Sequence, residues 1–146
     1  MSVKCVKSAP AYEGKQLHAI VKNMGPNLEK PQRLIAAMDD LFFMAKLRDA
    51  ATAAGLETEF ASTRLDALRK AKLPDCRIVV VDLNAGKIEP IELVKDLKAE
   101  GKEVLGFLSH VNTELREKAM EAGADRVLAR SAFSQNIQRI LQELMR

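Results

Sequence analysis

The chain has 146 residues and a mass of 16.1 kDa, with 47% apolar and 29% charged residues and a net charge of +3. That is one domain with room for a sizeable core. No apolar run approaches the roughly 18 residues of a membrane span, the N-terminus lacks the apolar stretch of a secretory signal, and one Tyr and no Trp leave little for stacking on nucleic-acid bases. Residues 1–32 carry five Lys against Glu13 and Glu29; residues 33–146 balance at 18 charges of each sign, so the folded part has no basic excess for a phosphate backbone. Cys5 and Cys76 form neither a CxxC nor a metal-ligand spacing and read as reduced thiols of a cytoplasmic protein.

Residues 1–32, broken by Pro10, Gly14, Gly25, Pro26 and Pro31, read as a flexible basic leader. Residues 33–146 are the patterned domain. Leu34–Met38 is a short apolar strand ending in Asp39-Asp40, and a helix follows with Phe43, Leu47, Ala50 and Ala54 at helical spacing, stopped by Gly55. Glu57–Phe60 is a polar edge strand. Thr63–Ala71 is a helix with Leu65, Leu68 and Ala71 on one side.

Arg77–Asn84 contains Ile78, Val79, Val80 and Val81, four β-branched residues in succession. A strand apolar on both faces is a central parallel strand, and this one runs into Asp82. After the loop Asn84–Lys87 comes a helix from Pro90 to Glu100. Val104–Leu108 is another buried strand, ending in Ser109-His110. Asn112 or Thr113 caps the next helix, which Gly123 closes. Arg126–Ala129 is the last strand, ending at Arg130-Ser131, and Ser134 is placed to cap a final helix with Ile137, Ile140, Leu141 and Leu144 as its stripe. Five β-α units in alternation give an α/β protein with a parallel sheet and helices on both faces.

Parallel strands put their C-terminal ends on one edge, where ligands of open α/β sheets bind. That edge collects Asp39, Asp40, Asp82, Ser109, His110 and Arg130. Two like charges about 4 Å apart repel by roughly 4 kcal/mol at an effective dielectric near 20. Three carboxylates therefore call for a cation, a proton or a fixed basic side chain, and Mg²⁺ suits such oxygen ligands. The purely structural reading has Asp39 capping the first helix, Asp40 favouring its N-terminus and Arg130 pairing with Asp82.

The order Asp39-Asp40, then Asp82 after Val79-Val80-Val81, then Ser109, then a basic residue ahead of Phe133, with Gly123-Ala124-Asp125 before the last strand, resembles the response-regulator receiver (CheY-like) domain over about residues 33–146. The resemblance implies a flavodoxin-like, doubly wound five-stranded parallel sheet of order 2-1-3-4-5. It implies Asp82 as phospho-acceptor from a histidine kinase. It also implies Mg²⁺ held by Asp40, Asp82 and the backbone carbonyl of Asn84, with Asp39 acting through water and Ser109 on the phosphoryl oxygens. The sequence departs from the family pattern in four places. Arg130 stands for the family's Lys, His110 for a small residue, Val127 for the switch aromatic, and Asn84–Lys87 for the proline-glycine loop.

Three readings follow. One is a stand-alone phosphorelay protein with a Mg²⁺-binding cluster and output through protein partners, a histidine kinase or another signalling protein. Another is a phosphorylation-independent pseudo-receiver in which Arg130 bridges Asp39 and Asp82. The third is a small hydrolase or transferase using Ser109 and His110, which point to opposite sides of a strand end and so pair poorly. The first two are not enzymes beyond self-phosphorylation, and none calls for nucleic acid or a membrane.

Overall fold

A computed structural model describes residues 32–109 and 112–145. Residues 1–31 of the expected leader, including Cys5, and His110 lie outside the described residues. The elements alternate: β1 Gln32–Ala37, α1 Leu41–Ala53, β2 Leu56–Ala61, α2 Arg64–Ala71, β3 Cys76–Asp82, α3 Pro90–Ala99, β4 Glu103–Leu108, α4 Thr113–Ala122, β5 Arg126–Ala129, then α5 Arg130–Gln135 and α6 Ile137–Leu144. A single 3-10 turn, Gly86–Ile88, lies between β3 and α3. The five strands form one parallel sheet of order β2-β1-β3-β4-β5, the expected topology.

The alternating side chains of β3 explain the two layers. Val79 and Val81 face α2, α3 and α4, packing with Ala67, Leu93, Leu97, Ala119 and Val127. Ile78 and Val80 face α1, α5 and α6, packing with Leu47, Phe107, Phe133, Ile140 and Leu141. A strand buried on both sides has no polar alternation, hence the uninterrupted β-branched run. At its start, Cys76 is buried, and burial pushes its thiol up to about 11, so it stays protonated and inert.

Capping residues set the helix ends that face the C-terminal edge of the sheet. Thr63 Oγ1 accepts from Asp66 N at 3.1 Å, and Asn112 Oδ1 accepts from Leu115 N at 3.1 Å. Three expectations need correction. β1 begins at Gln32 rather than Leu34, because Gln32 and Arg33 already pair with Leu56 and Glu57 of β2, and Arg33 forms ion pairs with Glu59 and Asp75. The buried stripe of α2 is Ala67 and Ala71 with Leu68 beside it; Leu65 is 79% exposed on the wall of a groove of about 820 Å³ between α2 and α3. Ser134 caps nothing. The final helix is two, broken at Asn136, whose Nδ2 donates to Ala132 O at 3.2 Å and so ends α5, while Ser134 Oγ accepts from Lys46 Nζ at 2.5 Å.

Candidate functional site

β1, β3, β4 and β5 deliver Asp39-Asp40, Asp82, Ser109 and Arg130 to the same sheet edge, as their order requires. Asp82 sits opposite Phe107 in the β3–β4 ladder. It is 4% exposed, the one buried charged residue among those described. Its Oδ1 accepts from Asn84 N at 3.0 Å, and its Oδ2 lies 3.8 Å from Arg130 Nη2. Burial raises the Asp82 carboxyl above its ordinary value, the Asn84 N–H and Arg130 oppose that rise, and the charges of Asp39 and Asp40 add to it.

Asp40, not Asp39, caps α1: its Oδ1 accepts from Phe43 N at 3.1 Å while its Oδ2 takes Arg130 Nη1 at 2.9 Å. Asp39 is exposed. The cap follows from chain direction, since the residue immediately before the first helical turn is the one whose side chain can reach back to it. Arg130 therefore bridges Asp40 and Asp82 rather than Asp39 and Asp82. It does so from the first position of α5, where its guanidinium carbon lies 5.2 Å from the centroid of Phe43 and 5.5 Å from that of Phe107. Its Nε is buried with no hydrogen-bond partner among the described residues. Ser109 is exposed, and its N–H donates to Asn84 Oδ1 at 2.7 Å, which ties the β3–α3 loop to the end of β4.

No family model and no curated protein matches the sequence. Solved structures do. A CheY-like response regulator receiver domain protein of Methanospirillum hungatei superposes with a TM-score of 0.68 at 18% identity, covering 80% of this chain and 95% of that one. A response regulator of Thermotoga maritima gives 0.69 at 14% identity, covering 79% and 98%. A response regulator of Burkholderia pseudomallei, solved with a phosphorylated aspartic acid, calcium ion and citrate, gives 0.66 at 23%, covering 77% and 66%. This chain has the receiver fold.

Two of the departures noted in the sequence can be placed in this fold. Val127 is buried in the apolar layer that α2, α3 and α4 cover. Arg130 brings a planar fork to a place where carboxylates converge. A divalent cation in the receiver fold would need those carboxylates, and as arranged they do not fit one. Among the described residues, no group of three or more His, Cys, Asp or Glu is placed to hold a metal ion. The Asp40 oxygens are engaged by Phe43 N and Arg130.

Sequence reasoning missed two features of the site. One is the pair of rings under Arg130. The alternation of β4 puts Phe107 on the same face as Leu105, and Phe43 lies in the first turn of α1 at helical spacing from Leu47, so both signals were present. The other is the Asn84 side chain, which holds the Ser109 N–H. An exposed loop amide carries no periodic signal that would reveal such a bond.

Proposed function

We propose that this is a signalling module on the receiver scaffold that binds a protein partner largely independently of phosphorylation. The observation that carries the reading is the guanidinium of Arg130 set between Asp40 and Asp82 and over the rings of Phe43 and Phe107. A receiver that switches needs two states close in free energy. A fork held by two carboxylates and two rings favours one of them. The partner surface this reading favours is the first turn of α1, where Leu41 is 77% and Phe42 92% exposed beside the exposed Asp39. Such a surface suits an apolar, basic protein face and not a nucleic acid. The balanced charge of residues 33–146 agrees, and no helix among the described residues is long and apolar enough to cross a membrane. A cytoplasmic setting fits this reading.

The second reading makes Asp82 a phospho-acceptor of a phosphorelay, fed by a histidine kinase, with Ser109 and Arg130 meeting the phosphoryl oxygens. The 3.8 Å separation of Arg130 Nη2 from Asp82 favours it, because that carboxylate is held less closely than Asp40. Intact mass after treatment with acetyl phosphate and Mg²⁺, followed by amide shifts, separates the two. The first reading expects little phosphoryl adduct, and a change in partner affinity below about tenfold, roughly 1.4 kcal/mol. Stoichiometric adduct with large shifts across residues 127–145 would overturn it in favour of the second.

A further inference from the structure

We infer that Arg130 is the resident cation of the acidic edge, that it keeps divalent metal ions out, and that Phe43 and Phe107 are the positioning residues that hold it there. The inference rests on the phosphorylation-independent reading of the same site and deepens it.

Three observations combine. First, Arg130 Nη1 is 2.9 Å from Asp40 Oδ2 and Nη2 is 3.8 Å from Asp82 Oδ2, so the two inner oxygens that a metal would need both face the guanidinium. Mg²⁺ binds oxygens at about 2.0–2.1 Å in a near-octahedral shell. A cation of that size cannot share the space with a second positive group, and their mutual repulsion adds to the steric conflict.

Second, the guanidinium carbon lies over two rings, at 5.2 Å and 5.5 Å from their centroids. Phe43 and Phe107 lie 4.9 Å apart, are 6% and 0% exposed, and offer the guanidinium π faces in a partly desolvated setting, where cation–π attraction is strongest. Third, Arg130 Nε is buried with no hydrogen-bond partner among the described residues. A donor left so is unfavourable by itself, so the side chain is held at this depth by its other contacts: the carboxylates and the rings. A flexible ammonium would pair with the same carboxylates without lying over the rings or burying a donor, and could leave at smaller cost.

Phe133 provides the control. It packs on both rings, at 5.7 Å from Phe43 and 5.8 Å from Phe107, and is fully buried, but the guanidinium lies over the other two. A change there perturbs the aromatic cluster without removing a face that Arg130 rests on.

The test is a Mg²⁺ titration of the full chain followed by amide shifts, with urea unfolding of each variant as the check on folding. Arg130→Met should reach half-saturation at a Mg²⁺ concentration at least about tenfold below wild type. Phe107→Leu and Phe43→Leu should each lower it by roughly two- to fivefold, the equivalent of a weakened cation–π contact. Phe133→Leu should destabilise the fold and leave the Mg²⁺ midpoint in place. If Arg130→Met does not fold, Arg130→Gln serves the same comparison.

A wild type that binds Mg²⁺ as tightly as the Arg130 variant overturns the exclusion. Equal effects from Phe133→Leu and Phe107→Leu overturn the role of the two rings. A wild type that excludes Mg²⁺ yet changes partner affinity strongly on phosphorylation leaves the exclusion standing and overturns the phosphorylation-independent reading instead.

Discussion

A carboxylate that is 4% exposed, with two more acids nearby, is held at Asp82 by one backbone N–H and by a guanidinium 3.8 Å away. Burial outweighs both, so the folded-state pKa lies above the ordinary 3.8. An acid whose pKa rises on folding binds its proton more tightly in the native state. Stability therefore falls as pH rises from near 3.8 through the folded value, and the loss is complete above it. Asp82→Asn carries no charge to lose. In urea unfolding across pH 4 to 8, the gap between this variant and wild type should widen upward, with the variant the more stable at neutral pH. A variant less stable at pH 7 would mean that the Arg130 pair outweighs burial. This sign was not legible in the sequence. The composition of the cluster was, because strand ends share an edge; which acid takes the guanidinium depends on the helix cap occupying Asp40 Oδ1 and on where the Arg130 stem reaches from the first position of α5.

At the scale of elements, local chemistry decided what could be read. Some caps and stops were legible because they act within a few residues: Asn112, Pro90, Gly55 and Gly123 each stand where their conformations are needed, whereas the caps expected of Asp39 and Ser134 are not made and Thr63 caps the helix it was expected to begin. The break at Asn136 and the exposure of Leu65 were not. The first needs a side-chain bond to Ala132 O, and the second needs the stripe of an eight-residue helix to be fixed to within one position by its neighbours. Gly123 shows how firmly a local signal can be tied to tertiary structure. Its φ is 113°, and an added Cβ would stand 2.9 Å from Lys98 Cγ, in the side chain whose Nζ pairs with Asp125 at 2.9 Å. Gly123→Ala should therefore cost the left-handed backbone penalty, about 1–2 kcal/mol, plus whatever the displacement of Lys98 adds. Gly86→Ala, at an ordinary φ with nothing within 4 Å, should be close to neutral or slightly stabilising. Equal urea midpoints for the two variants would refute the argument.

Across the whole molecule, the sheet divides the core into two apolar layers that share the strands but meet on opposite faces. A parallel sheet covered on both faces was legible from the β-α alternation, and its strand order came from the resemblance to the receiver domain. The site's allegiance to one layer was not, because it turns on the parity of β3 and β4. Asp82 falls in step with Ile78 and Val80, and Phe107 with Leu105, on the face that α1, α5 and α6 cover. Arg130 therefore answers to Phe43 and Phe107, while Leu97 and Val127 belong to the other layer. Residues in contact couple by about 0.5–3 kcal/mol in double-mutant cycles, whereas distant residues with no shared partner add within roughly 0.5 kcal/mol. The cycle Arg130→Met with Phe43→Leu should show coupling, and the cycle Arg130→Met with Leu97→Ala should be additive, although Leu97→Ala alone should cost about 2–5 kcal/mol as a buried truncation. Urea unfolding of the five single and double variants against wild type measures both. Coupling of Arg130 to Leu97 as large as to Phe43 would mean that the sheet transmits the state of the site through to the α2–α4 face. The acidic edge would then have a route to the opposite side of the molecule that Val127, without a ring, does not supply.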